Sequence, residues 1–145
     1  MVTNPSGTSQ VKVAATLRHG LTPLVCVGES AEVFASRGSV AHVLRQVRAA
    51  LAGVHDTSGV LLAYEPIWAI GSGGRPADPS DIAEVFAAMA GEWGEAVRGV
   101  LFGGSVHASN ALATLDVEGV DGLFVGRAAW DVQGYIELLD LAASR

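Results

Sequence analysis

Glu65 stands at the end of an apolar run, residues 60–64 (VLLAY), and is followed at once by Pro66. A carboxylate at the rim of a buried strand is placed to take a proton from a bound molecule and return it. A mostly apolar loop follows, closing on Gly71, Ser72, Gly73 and Gly74, whose glycines are pivots for movement, so the segment AYEPIWAIGSG reads as a general base under a mobile lid. A surface glutamate opening an ordinary strand-to-helix loop is the plainer reading of a lone Glu-Pro pair; the length and order of this run weigh against it. Downstream, LFGGSV (101–106) sets two glycines behind another apolar run, letting the backbone approach a ligand, and Ser105 adds an amide and a hydroxyl. DGLFVGRAAW (121–130) puts Gly126 and Arg127 at the mouth of a last apolar run. Each of these two alone is more often a tight turn than an anion nest. Their occurrence in order, at strand-helix spacing behind Glu65, shifts the balance.

The elements that must carry these groups alternate four times. Short apolar runs at 24–27, 60–64, 100–102 and 123–125 predict strands, and their continuous rather than alternating hydrophobicity predicts parallel strands covered on both faces. Between them lie helical patterns. Residues 11–18 stop at Gly20. Ser39 can cap a helix with Val40, Val43, Leu44, Val47 and Leu51 on one face. Asp78-Pro79 opens a helix burying Ile82, Val85, Phe86 and Met89 that ends by Gly94, and Gly103-Gly104 leads into one bearing Ala111, Leu112 and Leu115. Asp131 caps a last helix with Val132, Tyr135, Ile136 and Leu139 on one side. Trp93 and Trp130 are expected under helices and Trp68 in the lid.

Strand-helix repetition with short loops is α/β, and four units make either a small doubly wound sheet or half of an eight-stranded barrel. In barrels, phosphate commonly binds between the loops after strands seven and eight. The glycine segments fall there if this chain begins just before strand five. An open half-barrel leaves two strand edges unpaired.

Composition narrows the partners. The 145 residues make one domain's worth of chain, half of them hydrophobic, with a net charge of −6. That balance argues against nucleic acid or an anionic membrane surface. Lys12 is the single lysine and Cys26 the single cysteine, so no internal disulfide is possible, as expected of a reducing cytoplasm. No signal-peptide pattern opens the sequence and no run of about twenty apolar residues spans a bilayer.

From residue 11 onward the sequence resembles the C-terminal half of the triosephosphate isomerase family. GLTPLVCVGES (20–30) is similar to its fifth strand, AYEPIWAIGSG to the sixth, LFGGSV to the seventh and DGLFVGRAAW to the eighth; residues 1–10 carry no matching motif. The resemblance implies half of a (β/α)8 barrel and an aldose–ketose phosphate isomerase needing no metal or organic cofactor. Its expected reaction interconverts the triose phosphates of glycolysis and gluconeogenesis. Glu65 would be the base, the family's established pattern. Pro66, Ile67, Trp68, Ala69, Ile70, Gly71, Ser72 and Gly73 would form the lid, and the amides of Gly71, Ser105, Gly126 and Arg127 would hold the phosphate. Cys26 and Glu29 would support base and lid. A full-length form would be a homodimer.

Departures qualify what is carried over. The family's Asn-x-Lys segment and the histidine after strand four, which polarise the carbonyl, have no match. Asn4 precedes Pro5-Ser6, Lys12 lies in a helical pattern, and His19, His42 and His55 read as solvated, with His107 on the phosphate side. The chain alone is therefore expected to be inactive, as a piece of a longer enzyme. Phe102 stands where the family has tyrosine, Gly74 where lysine is common, and Arg127 where a glycine pairs with Gly126. GRAAWDVQGY resembles bacterial relatives that isomerise tetrose phosphates, so a four-carbon substrate is an alternative. A non-catalytic phosphate-binding half-barrel that dimerises is another. A barrel enzyme sharing only the phosphate site is disfavoured by the Glu-Pro-x-Trp-Ala lid.

Overall fold

A computed structural model of the chain describes residues 8–71 and 73–144. Helix α1 (Thr8–Arg18) precedes strand β1 (Leu24–Val27); α2 (Ala31–Ala35) and α3 (Ser39–Leu51) lead to β2 (Leu61–Tyr64). A 3-10 turn (Ile67–Ala69) and α4 (Pro79–Trp93) connect to β3 (Gly99–Phe102), and α5 (Ala108–Leu115) to β4 (Gly122–Leu123). A second 3-10 turn (Arg127–Ala129) and α6 (Val132–Ala143) complete the described chain.

The strands form one sheet in the order β1-β2-β3-β4, every pair parallel. Val27, Tyr64 and Phe102 share one rung, with Leu123 beside Phe102. Side chains alternate across a strand. Leu62, Tyr64, Val100 and Phe102 point into the helical layer and are wholly buried. Tyr64, Phe86 and Phe102 meet there, with ring centroids 5.7–6.3 Å apart and mostly edge-on, the favoured arrangement for aromatic quadrupoles. The opposite face carries Cys26, Leu61 and Leu101, each half-buried, around a wholly buried Ala63. Expected coverage on both faces is thus complete under the helices and partial on the other side.

The helical patterns place most elements as expected. Val43, Val47 and Leu51 bury the predicted stripe of α3, and Ile82, Val85, Phe86 and Met89 that of α4. Asp78 is the N-cap of α4, and its backbone N–H donates to Asp81 Oδ2 at 3.0 Å. Three expectations need correction. Gly38, not Ser39, is the N-cap of α3, because the Ser39 hydroxyl is drawn to Glu29 instead. Trp130 is 80% exposed rather than under a helix. The stripe Val132, Tyr135, Ile136 and Leu139 is the outward face of α6, and Leu138 is its buried residue. β4 is also shorter than 123–125, since it has a strand partner on one side only. No described helix is long and apolar enough to cross a membrane.

Phe86 links the ring cluster to the sheet. We predict that Phe86→Ala, which leaves a cavity at a wholly buried site, lowers stability by about 3–5 kcal/mol, read as a fall in the urea midpoint.

Candidate active site

The hydrogen-bond ladder continues one residue beyond the strands. Glu65 N–H donates to Val27 O at 2.7 Å, Gly103 N–H to Tyr64 O at 2.9 Å, and Phe124 N–H to Phe102 O at 2.7 Å. Gly28, Glu65, Gly103 and Phe124 therefore follow the four strand ends side by side at the C-terminal edge of the sheet. Two of them must be glycine. A Cβ at Gly28 would collide with the Glu65 carbonyl, and one at Gly103 would lie 2.8 Å from Glu65 Cγ. The polypeptide is stripped of side chains on both sides of Glu65.

Glu65 Oε1 is buried and has no hydrogen-bond partner. Buried polar atoms are rarely left so, and an unoccupied acceptor at a glycine-flanked rim is free to accept a proton from a ligand. The nearest titratable neighbour is Cys26 on β1. Burial first, then its hydrogen bond and charge repulsion with Glu65, push the Cys26 thiol up to about 12. The thiol thus stays neutral beside the carboxylate at ordinary pH.

Glu29 holds the turn that directly follows Glu65 and Pro66. It is wholly buried, and its Oε1 accepts from Trp68 Nε1 at 2.8 Å, Tyr64 Oη at 3.0 Å and Ser39 Oγ at 3.1 Å. Burial and the Glu29 charge raise the Tyr64 phenol far above its ordinary value, so it remains a donor. The carbonyl of Glu29 also accepts Ile67 N–H at 2.9 Å. One residue thereby holds both the backbone and the indole of the first lid turn. Trp68 lies against Phe34, with ring centroids 4.3 Å apart, and the Arg75 guanidinium carbon lies 4.8 Å from the indole. Arg75 is itself held by Asp81 at 2.8 Å.

The remaining expected groups lie along the same sheet edge. Ser105 adopts a left-handed conformation, φ +50°, uncommon for a residue with a side chain, and its hydroxyl donates to the Ala69 carbonyl in the lid turn. Its own carbonyl accepts Asn110 Nδ2 at 3.1 Å. Gly71 takes φ +83° after Ile70, as the bend out of the turn requires. Ser72 lies outside the described residues, and Gly73 is exposed. Gly126 and Arg127 are exposed at the β4 end, Gly126 as the N-cap of the 3-10 turn that Arg127 opens. Cys26 with Glu65, Glu29 with Trp68, and Ser105 with Ala69 are brought into contact; Gly126 and Arg127 share the edge without touching those groups. His107 is the N-cap of α5, its Nδ1 2.8 Å from Ser109 Oγ. Phe102, at the family's tyrosine position, turns into the core, where Gly104 packs on its ring. Ser105 rather than residue 102 touches the lid.

Four supporting residues escape the sequence reading. Gln46 pairs with both backbone groups of Gly28, at 2.8 and 3.1 Å, and Ser39, Phe34 and Arg75 brace Glu29 and Trp68. Only Arg75 had a signal, its place directly after the lid glycines. Among the described residues no three His, Cys, Asp or Glu side chains gather as a metal-ligand set.

Parallel strand-helix units with a carboxylate, glycine turns and a 3-10 turn at one sheet edge are the arrangement of half a (β/α)8 barrel. The chain belongs to the triosephosphate isomerase family, whose sequence profile matches residues 4–142, a stretch that begins upstream of the motif-bearing residues. It is 48% identical over 139 residues to an L-erythrulose-1-phosphate isomerase of Mycolicibacterium smegmatis, covering 94% of this chain and 53% of that protein. It is 43% identical over 136 residues to one of Rhizobium etli, covering 89% and 51%. The crystal structure of triosephosphate isomerase from Bartonella henselae superposes with a TM-score of 0.79 at 29% identity, covering 95% of this chain and 57% of that one. The chain spans about half the length of the curated relatives it matches.

If the Glu65 charge contributes to the raised Cys26 thiol, Glu65→Gln lowers that value. Alkylation by iodoacetamide at pH 9 is then faster in the variant than in the parent chain, measured by mass spectrometry under native conditions.

Proposed function

We propose that this chain provides the base-and-phosphate half of an isomerase that moves the carbonyl between neighbouring carbons of a four-carbon sugar phosphate. The observation that carries the reading is the unpartnered carboxylate oxygen of Glu65 at the glycine-flanked edge of the parallel sheet. A ketose phosphate has acidic hydrogens on the carbon next to its carbonyl. Glu65 takes one of them, and an enediol forms as the carbonyl oxygen gains a proton. Glu65 then returns its proton to the former carbonyl carbon, and the oxygen-bound hydrogen of the neighbouring carbon leaves as that carbon becomes the new carbonyl. Each step moves a proton and an electron pair within the substrate, so no oxidant or reductant is consumed.

The neutral Cys26 thiol beside the base keeps a second negative charge away from the enediolate. Glu29 fixes the first turn of the lid through Ile67 and Trp68, and Ser105 ties Ala69 to the loop after β3. The amides of Gly71, Ser105, Gly126 and Arg127 are the donors assigned to the phosphate. Loop closure over such an ester excludes water and keeps the enediolate from losing its phosphate. Gly74 and the Arg75–Trp68 stack mark the far end of that lid.

Substrate length is where the first expectation gives way to the alternative. The triose phosphates follow from the family at large, whereas relatives 48% and 43% identical to this chain carry the name L-erythrulose-1-phosphate isomerase. Those names support the four-carbon ester. The carbonyl-polarising lysine and histidine are matched nowhere in the 145 residues, so turnover requires a second polypeptide segment that bears them.

The reading is tested by adding the N-terminal half of the Mycolicibacterium smegmatis relative to this chain and assaying isomerisation. Alone, the chain gives no turnover above background. The reconstituted pair turns over L-erythrulose 1-phosphate with a higher kcat/KM than dihydroxyacetone phosphate, and Glu65→Gln lowers kcat by about 10²–10⁴-fold. A folded 1:1 pair whose turnover is unaffected by Glu65→Gln excludes the assigned base.

A further inference from the structure

Gly74 and Arg75, directly after the lid, make contacts that the base-and-phosphate arrangement does not use. A Cβ at Gly74 would stand 2.6 Å from both Ile70 N and Ile70 O and 2.7 Å from the Ala69 carbonyl carbon. The chain leaving the lid therefore lies directly on the turn that opens it, an approach that only glycine allows. A lysine, common at this place in the family, would hold the two arms of the stem apart.

Arg75 reaches back across the same turn. Its guanidinium carbon lies 4.8 Å from the centre of the Trp68 indole and 5.8 Å from that of the Phe34 ring on α2. Its Nη1 donates to Asp81 Oδ2 at 2.8 Å and to the Pro76 carbonyl at 3.2 Å. Asp81 is fixed in turn, because the same Oδ2 accepts the N–H of Asp78, the N-cap of α4, at 3.0 Å. An exposed ion pair alone is worth little, and the Arg75 side chain is 52% exposed. Here the pair holds the head of the side chain over the indole, and a cation over an aromatic face adds an attraction of its own. That indole is the one whose Nε1 donates to the buried Glu29.

We propose that Arg75 is a positioning residue that clasps the end of the lid onto its first turn, with Asp81 as its anchor, and so keeps Trp68 on Glu29. Gly74 brings the two arms of the stem together, and Arg75 locks them by tying the indole to the start of α4. The clasp rests on the isomerase reading only for what the lid covers, since its contacts belong to the fold.

The test is hydrogen exchange of the Trp68 indole N–H in the intact chain, followed by NMR, with the resonance assigned through Trp68→Phe. Trp93, buried on α4, has no part in the clasp and reports any general loosening. Arg75→Ala speeds exchange at Trp68 by roughly threefold or more, the scale of a surface cation–π contact, and leaves Trp93 unchanged. Gly74→Ala, which forces the stem apart, acts in the same direction. Arg75→Lys keeps the charge and loses the planar head, so its exchange falls between Arg75→Ala and the parent chain. In the reconstituted pair, Arg75→Ala raises KM by a larger factor than it lowers kcat, because substrate must order a loosened stem. Exchange unchanged at Trp68, or raised equally at Trp68 and Trp93, overturns the proposal. So does faster exchange without the larger rise in KM, which makes the contact structural only. The two readings fail separately. Turnover indifferent to Glu65→Gln removes the assigned base and leaves the exchange result standing, whereas a Glu65-dependent enzyme whose indole is indifferent to Arg75→Ala removes the clasp alone.

Discussion

The parallel ladder that runs past the strand ends is the constraint from which the candidate site follows. Backbone hydrogen bonds from Glu65 to Val27, Gly103 to Tyr64 and Phe124 to Phe102 fix the position of the first residue beyond each strand. Side-chain alternation then decides direction. Tyr64 and Phe102 turn into the helical layer, so Glu65 must turn to the opposite face, the one that carries Cys26. The base is aimed by the register of the sheet and needs no contact of its own to be aimed. A carboxylate positioned in this way can leave one oxygen unpartnered.

The same frame joins the base to the lid. Pro66 follows Glu65 directly, and the backbone and side chain of Glu29 hold Ile67 and Trp68, two and three residues beyond the base. Glu29 is buried with its Oε2 unpartnered, an arrangement that costs free energy and is offset by three donors on Oε1. Functional sites commonly concentrate such costs, and the left-handed Ser105 on the facing loop is another. The first lid turn is thus tied to β1 through Glu29 and to the loop after β3 through Ser105. The stretch beyond Ile70 bends away at Gly71 and meets this anchored turn again where Arg75 stacks on Trp68.

What could be read from the sequence divides along physical lines. Strands buried in a parallel sheet are continuous apolar runs, so all four were legible, and α3 and α4 turn a single stripe to the sheet and were legible too. The order of Glu65, Ser105 and Gly126 along the chain follows from strand-helix alternation. The braces were not legible, because Gln46, Ser39 and Phe34 act across 10 to 34 positions of sequence and nothing local in their neighbourhoods points to those partners. The face of α6 was misread for a different reason. Periodicity reports that Val132, Tyr135, Ile136 and Leu139 share a side, and it carries no information on whether the surface they suit belongs to the same half of the sheet.

A half-length sheet can nonetheless hold a well-formed site. Free lateral edges threaten association and aggregation, but they lie across the strands, whereas the site is laid out along the strand ends. Removing a neighbour from β1 or β4 leaves the β1-β2-β3 registry, and hence the Gly28-Glu65-Gly103 rung, with its hydrogen bonds intact. The two ends nonetheless differ in exposure. Glu65 follows the second strand and has a partner strand on each side, while Gly126 and Arg127 follow β4, which is paired on one side and only two residues long. The proposed base therefore rests on the most constrained part of the sheet and the last proposed phosphate donors on the least. Whatever covers β4 and the outer face of α6 meets Gly126 and Arg127 first, because Glu65 is aimed by the β1-β2-β3 registry, two strands away from that outer edge.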